Sequence, residues 1–128
     1  IGFALIDKRR TGHNKAEVAN LIGELKNKHA IIIDDMIDTA GTISNAANLA
    51  MEKGAKSVTA MATPPVLSGP AIDRLSDSAL SKIIVCDTIN LNKEKIFNKL
   101  EIISVANVFA EAIQHIVDGT SLSSMFKL

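Results

Sequence analysis

The sequence predicts an α/β domain built on a parallel sheet with flanking helices. Three observations carry that reading. Short apolar runs recur along the chain: HAIIID (29–34), SVTAMAT (57–63), KIIVCD (82–87) and LEIISV (100–105). Segments with helical spacing separate or follow them, most clearly GTISNAANLAMEKGAK (41–56). Acidic residues or threonine stand where the runs end, at Asp34, Asp35, Thr63 and Asp87. In open parallel sheets that edge, beyond the carboxyl ends of the strands, is where ligands bind.

The elements follow in chain order. GFALI (2–6) reads as a short strand, and DKRRTGHNK (7–15) as a polar, basic loop. AEVANLIGELK (16–26) has apolar spacing that fits a helix, but it is short and Gly23 interrupts it. HAIIID, with three consecutive isoleucines, reads as a buried strand. In the next segment Ile43, Ala46, Ala47, Leu49 and Ala50 supply an apolar helical stripe, and Gly54 after Lys53 is a stop signal. SVTAMAT closes a strand–helix–strand unit, which implies a right-handed parallel crossover. PPVLSGPA (64–71) holds all three prolines and reads as a turn-rich connection; AIDRLSDSAL (71–80) carries a short helix. KIIVCD and LEIISV are strands, with NKEKIFNKL (92–100) between them as a loop or helical turn. ANVFAEAIQHIVDG (106–119) is a closing helix stopped at Gly119, followed by the polar tail TSLSSMFKL.

Composition excludes some function classes. The 128 residues are 47% hydrophobic and 22% charged, ordinary for a globular domain with a real core. Fourteen basic and fourteen acidic residues leave no net charge to attract nucleic acid or an anionic membrane. With no Trp or Tyr, base-stacking platforms have little material. No apolar run reaches the roughly 18 residues of a membrane span. The single Cys86 has no internal disulfide partner, which points to a reducing, cytoplasmic compartment. A lone cysteine can be a nucleophile, but its place in KIIVCD favours a buried strand thiol. The chain begins in strand character without Met, so the expectation is a piece of something longer. Neither His29 nor His115 has a partner at metal-ligand spacing, so both read as structural, and His13 reads as exposed or as a phosphate contact.

The chemistry concentrates in IIIDDMIDTAGTISNA (31–46). Thr39, Ala40, Gly41 and Thr42 lead straight into a helix, so their backbone N–H groups face outward at the positive end of its dipole. Such a terminus is a phosphate site. Small side chains admit the phosphate to the backbone, and threonine hydroxyls add donors. Asp34 and Asp35 can accept hydrogen bonds from sugar hydroxyls or hold Mg²⁺, directly or through water. A pentose 5-phosphate satisfies both halves. The structural alternative is that aspartate and threonine merely cap the helix.

DDMIDTAGT resembles the phosphoribosyl pyrophosphate-binding motif of type I phosphoribosyltransferases. DKRRTGHNKAEV, TPPVLSGPAIDRL and SLSSMF extend the match to the ribose-phosphate pyrophosphokinase family over essentially the whole chain. The resemblance implies a phosphoribosyltransferase-like (Rossmann-like) fold, with residues 1–128 forming a C-terminal ribose 5-phosphate-binding domain and the N-terminal domain absent. It also favours a strand over a helix for AEVANLIGELK. The implied reaction moves the pyrophosphoryl group of ATP to the C1 hydroxyl of ribose 5-phosphate, giving phosphoribosyl pyrophosphate and AMP. By the same resemblance Lys8 and Arg10 are catalytic, on a mobile loop that closes over the reactants. Asp34, Asp35, Asp38, Thr39, Ala40, Gly41 and Thr42 bind ribose 5-phosphate, and Asp34 and Asp35 meet Mg²⁺. Ser121, Ser123 and Ser124 resemble an allosteric phosphate site, with phosphate or ADP as regulators; a polar disordered tail reads equally well. The family forms homo-oligomers.

Two positions depart from the family pattern. Thr11 stands where many bacterial relatives have Pro, and Pro64 stands where the family has His after Thr63, so any role of that imidazole is absent. The competing readings are a true type I phosphoribosyltransferase and a non-catalytic regulatory homologue. KRR and VLSGPA argue against the first, and the intact acidic pair and loop cations against the second. Without the missing domain, the isolated chain is expected to bind ribose 5-phosphate but not to turn over.

Overall fold

The structure, a computed structural model, describes residues 2–9 and 18–126. Its centre is a four-stranded parallel sheet of β3 (His29–Ile33), β4 (Ser57–Ala62), β5 (Lys82–Cys86) and β6 (Leu100–Ile103), in that spatial order. Before it comes an antiparallel ribbon, β1 (Leu5–Arg9) paired with β2 (Val18–Ile22) in the register Leu5 to Ile22 and Arg9 to Val18. The ribbon corrects the reading of the chain's start. The strand lies three residues later than GFALI, so Lys8 belongs to strand backbone and not to a loop opening at Asp7. Val18–Ile22 is a strand, which the resemblance favoured over the helical spacing. Gly23 ends it at φ 123°, where a Cβ would stand only 3.0 Å from the Ala4 backbone.

Strand–helix–strand order recurs as read. Helix α1 (Gly41–Glu52) joins β3 to β4, and α2 (Ala71–Asp77) joins β4 to β5. Because the strands run in sequence across the sheet, right-handed crossovers place both helices on the same face. The core lies between them. Val58, Ala60, Ala62, Ile83 and Val85 meet Ile43, Ala47 and Ala50 of α1 and Ala71 and Leu75 of α2. Alanine dominates the contact, which lets α1 lie close to the strands. Beyond Lys53, Gly54 turns the chain at φ 86°, and its carbonyl accepts the Asn27 N–H at 2.8 Å.

The opposite face differs from expectation. HAIIID is not buried on both sides: Ile31 is 63% and Ile33 80% exposed, and only Ala30 and Ile32 turn towards the core. A parallel sheet normally carries helices on both faces, and here α1 and α2 cover only one. The final helix, α3 (Ala106–Val117), stands where the sequence places it, and Gly119 follows it at φ 64°. None of its residues is buried; it packs chiefly against a 3-10 turn at Leu122–Phe126. Cys86 is half-buried on the open side of β5 and not deep in the core.

Candidate functional site

The site is built where β3 ends. The Asp34 N–H donates to the Met61 carbonyl at 3.0 Å, extending the sheet ladder by one residue. The chain then runs beside the 63–68 segment. The Thr63 N–H donates to the Asp35 carbonyl (3.4 Å) and the Ile37 N–H to the Pro64 carbonyl (3.2 Å). The Leu67 N–H donates to the Ile37 carbonyl (3.1 Å) and the Ser68 N–H to the Asp38 carbonyl (3.2 Å). Ile37, 2% exposed, anchors this double track in the core. TPPVLSGPA is therefore the wall against which the acidic loop is laid. Pro64 takes part through its carbonyl, a group that every residue has.

The track delivers the chain to α1 through a strained residue. Ala40 sits at φ 61°, ψ 3°, in the left-handed region that L-residues seldom occupy. A left-handed residue followed by helical ones turns successive N–H groups towards one concavity, an anion-binding nest. No side chain caps the start of α1. The aspartates and threonines are thus not spent as helix caps, and the first N–H groups remain available.

These features line one depression of about 300 Å³. Asp34 and Asp38 contribute carboxylates, Thr39 and Thr42 hydroxyls, and Ala40 and Gly41 backbone; Met36 and Ile37 complete the apolar part. Asp34 is half-buried, and one of its oxygens accepts the Asp35 N–H at 3.0 Å. Asp35 is exposed, does not line the depression, and accepts the Met36 N–H at 2.7 Å. The adjacent acids are therefore unequal: Asp34 faces the cavity, and Asp35 shapes the turn beside it. Asp38 accepts a hydrogen bond from the Ser68 hydroxyl.

Lys8 is on β1, while Arg10 and His13 lie outside the described residues. Ser121, Ser123 and Ser124 are exposed at the end of the chain and bond to one another: the Ser123 N–H donates to Ser121 Oγ, and Ser124 Oγ donates to the Ser121 carbonyl. His29 and His115 each engage a hydroxyl, Ser57 and Thr120, at 2.7 Å. Among the described residues no three His, Cys, Asp or Glu side chains converge as a metal cage. The hard oxygen donors of the adjacent Asp34 and Asp35 fit Mg²⁺ of the kind that keeps waters and completes its shell with ligand oxygens.

At the same edge, Asp87 after β5 accepts the Val105 N–H at 2.9 Å, tying β5 to the start of α3. The Ser104 side chain first, and then that N–H, hold the Asp87 carboxyl below its ordinary pKa.

Sequence reasoning assigned no role to Ser68 or Arg74. Arg74 donates from Nη1 to the Thr39 carbonyl at 3.0 Å across 35 residues of chain. The only signal for either was membership of VLSGPAIDRL, which carried the resemblance without a role attached.

Comparison with known proteins identifies the family. The family model described as phosphoribosyl synthetase-associated domain matches residues 9–127. A ribose-phosphate pyrophosphokinase of Clostridium tetani is 50% identical over 124 residues, covering 97% of this chain and 39% of its own length. That of Aquifex aeolicus is 50% identical over 125 residues, covering 98% and 40%. The crystal structure of phosphoribosylpyrophosphate synthetase from Mycobacterium smegmatis superposes with a TM-score of 0.82 at 38% identity, over 91% of this chain and 37% of that one. The chain thus spans about 40% of the length of the curated relatives it matches. Its four parallel strands, its acidic loop at their carboxyl edge and this match over nearly every residue have one reading: the chain belongs to the phosphoribosyl synthetase-associated domain family.

Proposed function

We propose that this chain is the ribose 5-phosphate-binding part of a ribose-phosphate pyrophosphokinase. The observation that carries the reading is the depression itself. It has a left-handed turn opening a helix at one end and a half-buried carboxylate at the other. A dianionic phosphate fits the first, and vicinal hydroxyls fit the second.

In this reading the N–H groups and hydroxyls of Thr39 through Thr42 hold the 5-phosphate. Asp34 and Asp38 accept from the ribose hydroxyls, and Asp35 keeps the loop in shape. Asp34, with Asp35 through water, would hold Mg²⁺, which when bound neutralises phosphate charge. The C1 hydroxyl oxygen attacks the β-phosphorus of ATP. The bond from that phosphorus to the oxygen bridging it to the α-phosphorus breaks, AMP leaves, and the hydroxyl proton passes to water. Such transfers depend mainly on positioning and charge stabilisation. Lys8 and Arg10 supply cations for the charge spreading over the phosphoryl oxygens. The same reading includes ATP and phosphoribosyl pyrophosphate as ligands, a homo-oligomer, and a cytoplasmic setting. It also includes phosphate or ADP as regulators at Ser121, Ser123 and Ser124.

Calorimetric titration of the chain with ribose 5-phosphate and Mg²⁺ tests the site. Saturable binding that requires the 5-phosphate, with free ribose inert, supports the reading. A folded chain that binds neither sugar, together with a chain of the relatives' length that forms no AMP from ATP and ribose 5-phosphate, refutes it.

A further inference from the structure

We infer that Arg74 is a positioning residue for the phosphate-binding turn, an inference that rests on the ribose 5-phosphate reading of the depression. Arg74 does not line the cavity; it reaches the turn from α2. Its Nη1 holds the Thr39 carbonyl at 3.0 Å. In a trans peptide the carbonyl and the following N–H point in opposite directions. Fixing the Thr39 oxygen towards α2 therefore aims the Ala40 N–H away from α2. The restraint falls on the peptide that enters the left-handed residue. A left-handed Ala is strained and persists only when its surroundings hold it.

Arg74 is itself held in place. Its N–H donates to the Pro70 carbonyl at 3.0 Å, and its carbonyl accepts from the buried Ser44 of α1 at 3.4 Å. The neighbouring Leu75 and Ala71 are fully buried. The exposed guanidinium is thus carried on a fixed stem. It lies close enough to the turn that a Cβ on Gly41 would stand 3.4 Å from Nη1. A permanent positive charge beside the turn adds to the helix-terminal field that a phosphate meets. The alternative is an exposed arginine that merely takes the nearest carbonyl. The two differ in what the residue changes: the phosphate end of the ligand, or nothing beyond small losses of stability.

The test uses a chain of the relatives' full length that carries this segment, comparing Arg74→Met and Arg74→Lys with the parent in steady-state assays of ribose 5-phosphate and ATP. Arg74→Met should raise KM for ribose 5-phosphate at least tenfold, leave KM for ATP within twofold, and change kcat less than KM. Arg74→Lys keeps the charge and a donor and should recover most of the loss. An Arg74→Met variant with parental KM for ribose 5-phosphate overturns the inference while leaving the binding site standing. A fall in kcat alone, or variants that all fail to fold, would assign Arg74 to the fold and overturn it too. A folded parent that never uses ribose 5-phosphate would remove the underlying reading, and the inference with it.

Discussion

The two faces of the sheet behave as different materials. On one, Val58, Ala60, Ile83 and Val85 are wholly buried under α1 and α2. On the other, polar and apolar residues are mixed. There His29 meets Ser57, and Lys82 pairs with Glu101. Ile31, Ile33 and Ile103 stand open to solvent on the same face. The site hangs from the covered face, because Ile37, Ala40 and Ile43 join the core that α1 and α2 create. Stability and binding geometry therefore share one side of the molecule. The open side contributes strands but little anchoring.

The largest effect should come from setting the faces directly against each other. Leu75→Ala empties a fully buried site against α1 and the sheet, and should cost about 2–5 kcal/mol. Ile33→Ser, on the open face, should stay within about 0.5 kcal/mol. Urea unfolding of both variants checks the contrast, and equal losses would mean that the open face is covered in solution.

Next comes the site. Asp34→Asn keeps the shape but removes a charged acceptor. It should weaken ribose 5-phosphate binding on the order of 10- to 100-fold, with little change in melting temperature. Calorimetry reads the first and thermal melting the second. A smaller effect from Asp35→Asn would sharpen the inequality between the two acids.

A smaller effect tests how α2 is held. Lys99 donates to the carbonyls of Ser76 (2.6 Å), Ser78 (2.9 Å) and Leu75 (3.4 Å), closing the C-terminal end of that helix. Lys99→Met should cost about 1–2 kcal/mol in the same unfolding assay. If α2 also carries the arginine brace, ribose 5-phosphate binding should weaken slightly with it.

The smallest effect concerns α3. The Asp87 carboxyl titrates below its ordinary value in the folded chain, so its contribution is present above the unfolded value of about 3.9. It is lost as pH falls through the folded value. Acid should loosen the start of α3, and Asp87→Asn should remove that part of the pH dependence. Amide hydrogen exchange at Val105 between pH 5 and 3 would show it.

Much of this was legible in the sequence for physical reasons. Four apolar runs interrupted by helical stripes have few ways to fold other than as parallel crossovers. A carboxylate-rich exit followed by TAGT names its own edge of the sheet. What was not legible depended on neighbours far along the chain. HAIIID reads as buried because the composition of a strand cannot say how many faces are covered. The start of β1 slipped because GFALIDKR is apolar first and charged later, while pairing with Val18–Ile22 chooses the later part. Ser68 and Arg74 reach Asp38 and Thr39 across 30 and 35 residues, and no local pattern announces such contacts. The inequality of Asp34 and Asp35 is likewise a matter of where two adjacent side chains point.

The acidic loop is fastened to the 63–68 segment through main-chain atoms, at Thr63, Pro64, Leu67 and Ser68. A fastening of that kind does not depend on which side chains the residues carry, provided the donors keep their N–H groups. Replacement of a histidine by proline at position 64 exchanges the side chain without removing the carbonyl that Ile37 uses. Drift along this wall is therefore a poor guide to whether a relative still works. Under the function proposed above, the positions that tell active from inactive relatives are those facing the cavity, 34, 38 and 39–42, together with the cations at 8 and 10.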